Sequence, residues 1–171
     1  MNVLLACMTY SCFRTLLSMQ VERSYAVELI GDMARKLDEK WGRLPRAIAW
    51  LWRREPRERM RLCVNLFLRF PFGPPDYRFT RLPSTEGISL DIIHCPVASY
   101  LKQQAAADLC VGTWCNLDFA LAEMWGGRLE RRETIAAGCE RCDFHFKAGA
   151  RLPLAAQRLP SISRLSAASN N

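Results

Sequence analysis

CVGTWCNLDFALAEMWGGRLERRETIAAGCERCDFHF, residues 110–146, is the stretch that decides how this chain folds. Trp114, Leu117, Leu121 and Met124 with Trp125 recur at three- and four-residue steps. That spacing predicts a short helix over 114–125, and Gly126-Gly127 ends it. Leu129 to Ala137 and Cys142 to Lys147 then read as two strands. Gly138-Cys139-Glu140-Arg141 joins them as a hairpin turn, with glycine where φ > 0 is required.

Working outward, Gly87 to Cys95 (GISLDIIHC) alternates as a strand should, with Ile88, Leu90 and Ile92 on one face. Pro96 stops the ladder, and Val97 to Ala107 reads as helical. Further back, Pro71-Phe72-Gly73-Pro74-Pro75 is a loop that ends a helix over Arg57 to Arg69. Val27, Ile30, Ala34, Leu37 and Trp41 mark an amphipathic helix over about Glu22 to Lys40. Pro45 suits the first turn of a new helix, where its missing N–H costs nothing. The order predicts an α+β fold: N-terminal helices followed by a small antiparallel sheet with two short helices between strands. Residues 1–148 are read as one domain, the place of 1–20 in it left open. The Pro-, Ser- and Ala-rich tail 149–171 is expected to be disordered.

Half of the 171 residues are apolar, enough for a real core. The formal charge is +7, and most of it sits in one place. Arg35 to Arg61 carries ten Lys/Arg against four Asp/Glu, and the tail from Arg151 adds three arginines with no acid. The thiol-rich part is near neutral. The basic stretch, rich in tryptophan, is read as solvated helix faces or as contact with an acidic partner or membrane surface. No nucleic-acid-binding motif is present, so nucleic acid is not the expected partner. No apolar run approaches the length of a membrane span. The N-terminus lacks a basic leader region and a small-residue cleavage site, which argues against a signal peptide. The chain is therefore expected to be cytoplasmic, with its eight unevenly spaced cysteines reduced.

The chemistry lies in those cysteines. Cys115 and Asp118 are three apart on a predicted helix and share a face. A thiol is a nucleophile only as thiolate, and Cys115 is expected in the first turn of its helix, where free N–H groups favour an anion. Asp118 as a like charge would oppose ionisation, but it can hold an amidine or orient water. Cys142 alternates with Phe144 and Phe146 and points to the core side. Asp143 and His145 share the other face, with His145 a candidate base. Cys95 ends the first strand and Cys110 precedes the helix. On the long hairpin strand Thr134 shares a face with Arg132, while Arg131 lies on the other. An arginine in a cleft would suit a substrate carboxylate. A simpler reading makes these thiols core residues and these charges solvated faces. A third makes Cys139-x-x-Cys142, with Cys110 and Cys115, a zinc site. Cys7, Cys12 and Cys63 read as helix-core residues.

The ordered elements Cys95-Pro96, then Cys110-x4-Cys115-x2-Asp118, then Thr134-x3-Gly138-x3-Cys142-Asp143-Phe144 resemble the L-2-amino-thiazoline-4-carboxylic acid hydrolase family. The resemblance spans Gly87 to Lys147. It implies a cofactor-free hydrolase without a catalytic metal, opening the ring of 2-amino-thiazoline-4-carboxylate to N-carbamoyl-cysteine. It places the shared cysteines on Cys95, Cys110, Cys115 and Cys142, and the shared carboxylates on Asp118 and Asp143. Cys115, Asp118, Cys142 and Asp143 are then the expected catalytic residues; Cys95, Cys110, Thr134 and Arg132 are expected to bind substrate. The close of the hairpin, G-x3-C-x-F, also looks like the small-molecule-binding domain of the 4-vinyl reductase type, which would bind ligand without turnover.

Overall fold

Strand β4 (Cys142–Ala148) pairs with two neighbours, so the sheet is built around the C-terminal end of the thiol-rich stretch. The computed structural model describes residues 2–149. The sheet has four antiparallel strands in the order β1-β2-β4-β3, with β1 Arg78–Leu82, β2 Gly87–His94 and β3 Gly127–Glu130. Leu90 stands opposite Phe144, and Ile88 opposite Phe146. The side-chain period of two turns these four residues toward the helices, where all are buried.

The helices are α1 (Asn2–Ser18), α2 (Arg23–Trp52), α3 (Pro56–Phe67), α4 (Pro96–Gln103), α5 (Ala107–Cys110) and α6 (Asn116–Met124). A π-helical segment, Val111–Cys115, joins α5 to α6 without a break. The fold is α+β with helices first, as read. Gly126 (φ 85°) ends α6 and Gly138 (φ 100°) ends a 3-10 turn at Ile135–Ala137; both adopt the left-handed backbone that glycine reaches without a Cβ clash. The tail expectation lies outside the described residues beyond Gly149. Among the described residues, no helix is long and apolar enough to cross a membrane.

Several local expectations are corrected. Pro45 starts no new helix, because α2 runs through it from Arg23 to Trp52. A proline removes one N–H, and close packing on both sides holds the helix across the gap. On one side Gly42 is so near α6 that an added Cβ would meet Leu121 and Met124, and on the other the Cys63 thiol of α3 donates to the Pro45 carbonyl at 3.6 Å. β1 was not foreseen: it is an edge strand whose side chains are almost all exposed, so no alternation announces it. The strand expected over 129–137 stops at Glu130. The Asp143 carboxylate accepts the Arg132 and Glu133 N–H groups at 2.9 and 2.6 Å, which takes both donors out of the ladder. Cys12 is exposed and Cys7 half-buried, so of the three cysteines assigned to helix cores only Cys63 is buried.

Candidate active site

A cavity of about 80 Å³ lies between the inner face of the sheet and the α5–π–α6 run. A single buried water needs roughly 10–15 Å³ by the same measure, so the space suits a small organic molecule. Val64, Phe67, Leu90, Ile92 and Phe144 supply apolar wall. The polar residues lining it include Cys95, Cys110, Cys115, Cys142, Asp118 and Arg131, with Tyr77 and Trp114.

The π segment explains how two of those thiols meet. Residues five apart on an α-helix point roughly 140° away from each other at 3.6 residues per turn. A π turn is wider, bonding i to i+5, and brings Cys110 and Cys115 round to the same side. Both line the cavity, and the Cys110 thiol hydrogen-bonds the Cys115 sulfur. Gly112 lies inside this segment, where α2 crosses closely: a Cβ there would stand 2.3 Å from a Val27 methyl.

Cys115 is 9% exposed. Its sulfur is 3.5 Å from the Thr134 hydroxyl, which in turn is 3.3 Å from the Cys142 sulfur. The pKa of Cys115 is lowered, first by the Cys110 hydrogen bond and then, against the cost of burial, by the Arg131 charge and Thr134; Asp118 opposes. Cys110 is raised well above its ordinary value by its bond to Cys115 and by burial. Burial pushes Cys142 up to about 11 and Cys95 up to about 12. Of the four thiols in the pocket, Cys115 is the one shifted downward, and the other three are shifted upward.

The predicted cause of that downward shift is wrong. The expected helix N-terminus does not exist at Cys115, since helical backbone runs on from Ala107 to Met124. The positive neighbour is Arg131 instead. Its Nη1 donates to Asp118 Oδ2 at 2.8 Å and its Nη2 donates to the Cys115 carbonyl. The guanidinium is stacked between Phe119 and Phe144, with its centre 5.0 and 4.8 Å from the ring centroids. The Arg131 side chain is 1% exposed and that of Asp118 23%. Burial raises the Asp118 pKa, with Arg131 pulling the other way.

Of the expected site residues, the structure brings Cys95, Cys110, Cys115, Asp118 and Cys142 to one cavity, with the Thr134 hydroxyl bridging two of their sulfurs. It does not bring Asp143 or Arg132 there. Asp143 caps backbone on the far face of the sheet, and the Arg132 side chain is exposed. His145 bonds Ser89 at 3.1 Å and His94 the Asp76 carbonyl at 2.9 Å, both away from the cavity lining. Cys139 does not join the cluster, and among the described residues no three His, Cys, Asp or Glu side chains are placed to hold a metal ion. Arg131 was missed as the site arginine. Its signal was strand parity: it falls two residues after Leu129, which faces the core.

Two donors of cavity-lining residues have no hydrogen-bond partner among the described residues. Arg131 Nε and the Trp114 indole N–H are both buried and unbonded. A buried donor left unpaired is costly, and a bound acceptor would satisfy it.

The fold and cavity define an α+β protein with a thiol-lined pocket. Residues 19–146 match the family model of L-2-amino-thiazoline-4-carboxylic acid hydrolase, and the chain belongs to that family. The match reaches back through α2 and α3, well before the motif-bearing half. No curated protein and no solved structure matches the chain.

Proposed function

We propose that the protein is a cysteine-dependent hydrolase that opens a small cyclic amidine, 2-amino-thiazoline-4-carboxylate, to N-carbamoyl-cysteine. The observation that carries this reading is the convergence of Cys115 with Cys110, Cys142, Asp118 and Arg131 on one cavity, with the Thr134 hydroxyl 3.5 Å from the Cys115 sulfur; the downward shift of the Cys115 pKa supports it. The family's name supplies the substrate.

The Cys115 thiolate adds to the ring carbon between nitrogen and sulfur. The bond from that carbon to the ring sulfur then breaks, and the leaving sulfur takes a proton from the neighbouring Cys110 thiol. The carbon remains attached to Cys115 as an isothiouronium. Water adds to it, losing protons to Cys110 and to solvent, and the Cys115 thiolate departs. One water is consumed, and the product carries a free thiol and a carbamoyl group. Asp118 uses Oδ2 on Arg131, and its Oδ1 is the acceptor for an amidine N–H of the substrate. Trp114 Nε1 and Arg131 Nε, the unpaired donors, suit the substrate carboxylate.

The purified chain is incubated with 2-amino-thiazoline-4-carboxylate, and product is followed by mass spectrometry. Steady formation of N-carbamoyl-cysteine is expected, falling by about a thousandfold or more in Cys115→Ala. Binding without turnover would favour a sensor, and a Cys115→Ala variant as fast as the parent would remove the nucleophile assignment.

A further inference from the structure

Helix α2 carries two apolar faces, and one of them is exposed among the described residues. Ala26, Ile30 and Ala49 are buried in the core, and Gly42 packs against α6. On the other side Met33, Leu37, Trp41, Leu44 and Leu51 are exposed: Trp41 by 56%, Leu44 by 67% and Leu51 by 79%. At 3.6 residues per turn these five fall within roughly a quarter of the helix circumference. Single exposed apolar residues are ordinary, whereas a stripe running five turns marks an interaction surface.

The charge beside the stripe is mostly positive. Lys36, Lys40 and Arg43 lie along its edge, and Arg54 follows the helix end. Between Met33 and Trp52 the two acids are Asp38, about 60° beyond the Trp41 edge of the stripe at 3.6 residues per turn, and Glu39. Glu39 lies toward the core side and pairs with Arg35. Trp52, also exposed, ends the helix.

We infer that this face docks on an anionic lipid surface, with the stripe in the headgroup boundary and the cations against lipid phosphate and carboxylate groups. Charge disfavours the two occupants that the chain itself could supply. A second copy would set Lys36, Lys40 and Arg43 against cations of the same kind. Residues 150–171 carry three arginines and no acid, so they cannot neutralise the face either. Trp41 between an aliphatic stripe and a row of cations matches the bilayer interface, where the ring is apolar and its N–H stays wet. The pocket chemistry plays no part in this inference.

The full chain is pelleted with vesicles of phosphatidylcholine alone or containing about 30 mol % phosphatidylserine. We expect binding to the anionic vesicles to exceed that to the neutral ones by about tenfold or more, and to fall as salt rises. Leu44→Glu with Leu51→Glu, and separately Lys36→Glu with Lys40→Glu and Arg43→Glu, should each lose most of it. Arg151→Gln with Arg158→Gln and Arg164→Gln should keep it. If a stripe variant does not fold, quenching of wild-type tryptophan fluorescence by brominated phosphatidylserine decides instead. Equal binding to both vesicles, no binding, or loss confined to the tail variant would overturn the inference. So would a lipid-free dimer in sedimentation velocity that Leu44→Glu dissociates, or tighter binding to polyglutamate than to vesicles.

Discussion

Arg131 Nη1 lies 2.8 Å from Asp118 Oδ2, and the same guanidinium holds the Cys115 carbonyl through Nη2. One arginine thus ties the hairpin to α6 and to the end of the π segment. It also sets the charge of the pocket. With Asp118 ionised and Cys115 a thiolate, as the proposed reaction requires, the three groups would sum to one negative charge, which would favour a cationic amidine beside that sulfur.

Replacing Arg131 by Met should therefore damage fold and chemistry together. The aliphatic length is kept between Phe119 and Phe144, but Asp118 loses its partner in a buried place. Breaking a buried pair from one side costs about 3–5 kcal/mol, and the residual exposure of Asp118 toward the cavity puts the expected loss near the low end. Urea denaturation measures it. Adding Asp118→Asn should restore part of the stability and none of the activity. A double variant no more stable than Arg131→Met would mean that the pair is not what the arginine supplies.

The thiol pKa values give a pH prediction with a definite sign. Cys115 lies below the ordinary thiol value of 9.0, so its alkylation by iodoacetamide should rise through a midpoint under 9 and level off above it. Cys142 and Cys95, at about 11 and about 12, should still be slow at that pH. Peptide mapping after brief labelling at pH 7 should show Cys115 at least about tenfold ahead of both. Because its folded pKa is depressed, Cys115 adds stability above the unfolded thiol pKa, and that part is lost as pH falls through the folded value. Arg131→Met should move the labelling midpoint upward. An unchanged midpoint would assign the shift to Cys110 and Thr134 alone.

What the sequence revealed follows from which signals are local. Periodicity exposed β2 and β4, because Ile88, Leu90 and Ile92 and then Cys142, Phe144 and Phe146 alternate against a buried face. It also showed Cys115 and Asp118 on one side of a helix. β1 was silent because an exposed edge needs no pattern. The choice of Arg132 over Arg131 came from carrying strand parity through residues 131–134, where the Asp143 carboxylate takes the N–H groups that a ladder would use. The π segment was invisible for a similar reason. Val111-Gly112-Thr113-Trp114-Cys115 has no composition of its own; its geometry is set by α2 crossing over Gly112.

That crossing can be tested directly. A Cβ on Gly112 would stand 2.3 Å from the Val27 Cγ1 methyl, and valine in a helix has little freedom to swing its methyls away. Gly112→Ala should destabilise by about 1–3 kcal/mol, the usual cost of overpacking. Val27→Ala in the same chain should recover most of it, so the two changes should be strongly non-additive. The single variant should also spread Cys110 from Cys115 and slow Cys115 labelling. A destabilised variant with unaltered labelling would separate the helix crossing from the thiol geometry.

Trp114→Phe tests recognition of the substrate carboxylate apart from the chemistry. The change removes one N–H and keeps most of the ring that lines the cavity. Because that N–H has no partner among the described residues, its loss should leave stability unchanged or slightly higher. If it meets the carboxylate in both the ground state and the transition state, KM rises with kcat nearly constant. A hydrogen bond to a charged group contributes about 1.5–3 kcal/mol, which corresponds to a rise in KM of roughly 10- to 150-fold. The substrate's methyl ester, with a weaker acceptor, should show a smaller difference between parent and variant. A fall in kcat at constant KM would instead place the indole against the reacting carbon, and equal kinetics in parent and variant would show that the carboxylate is held elsewhere.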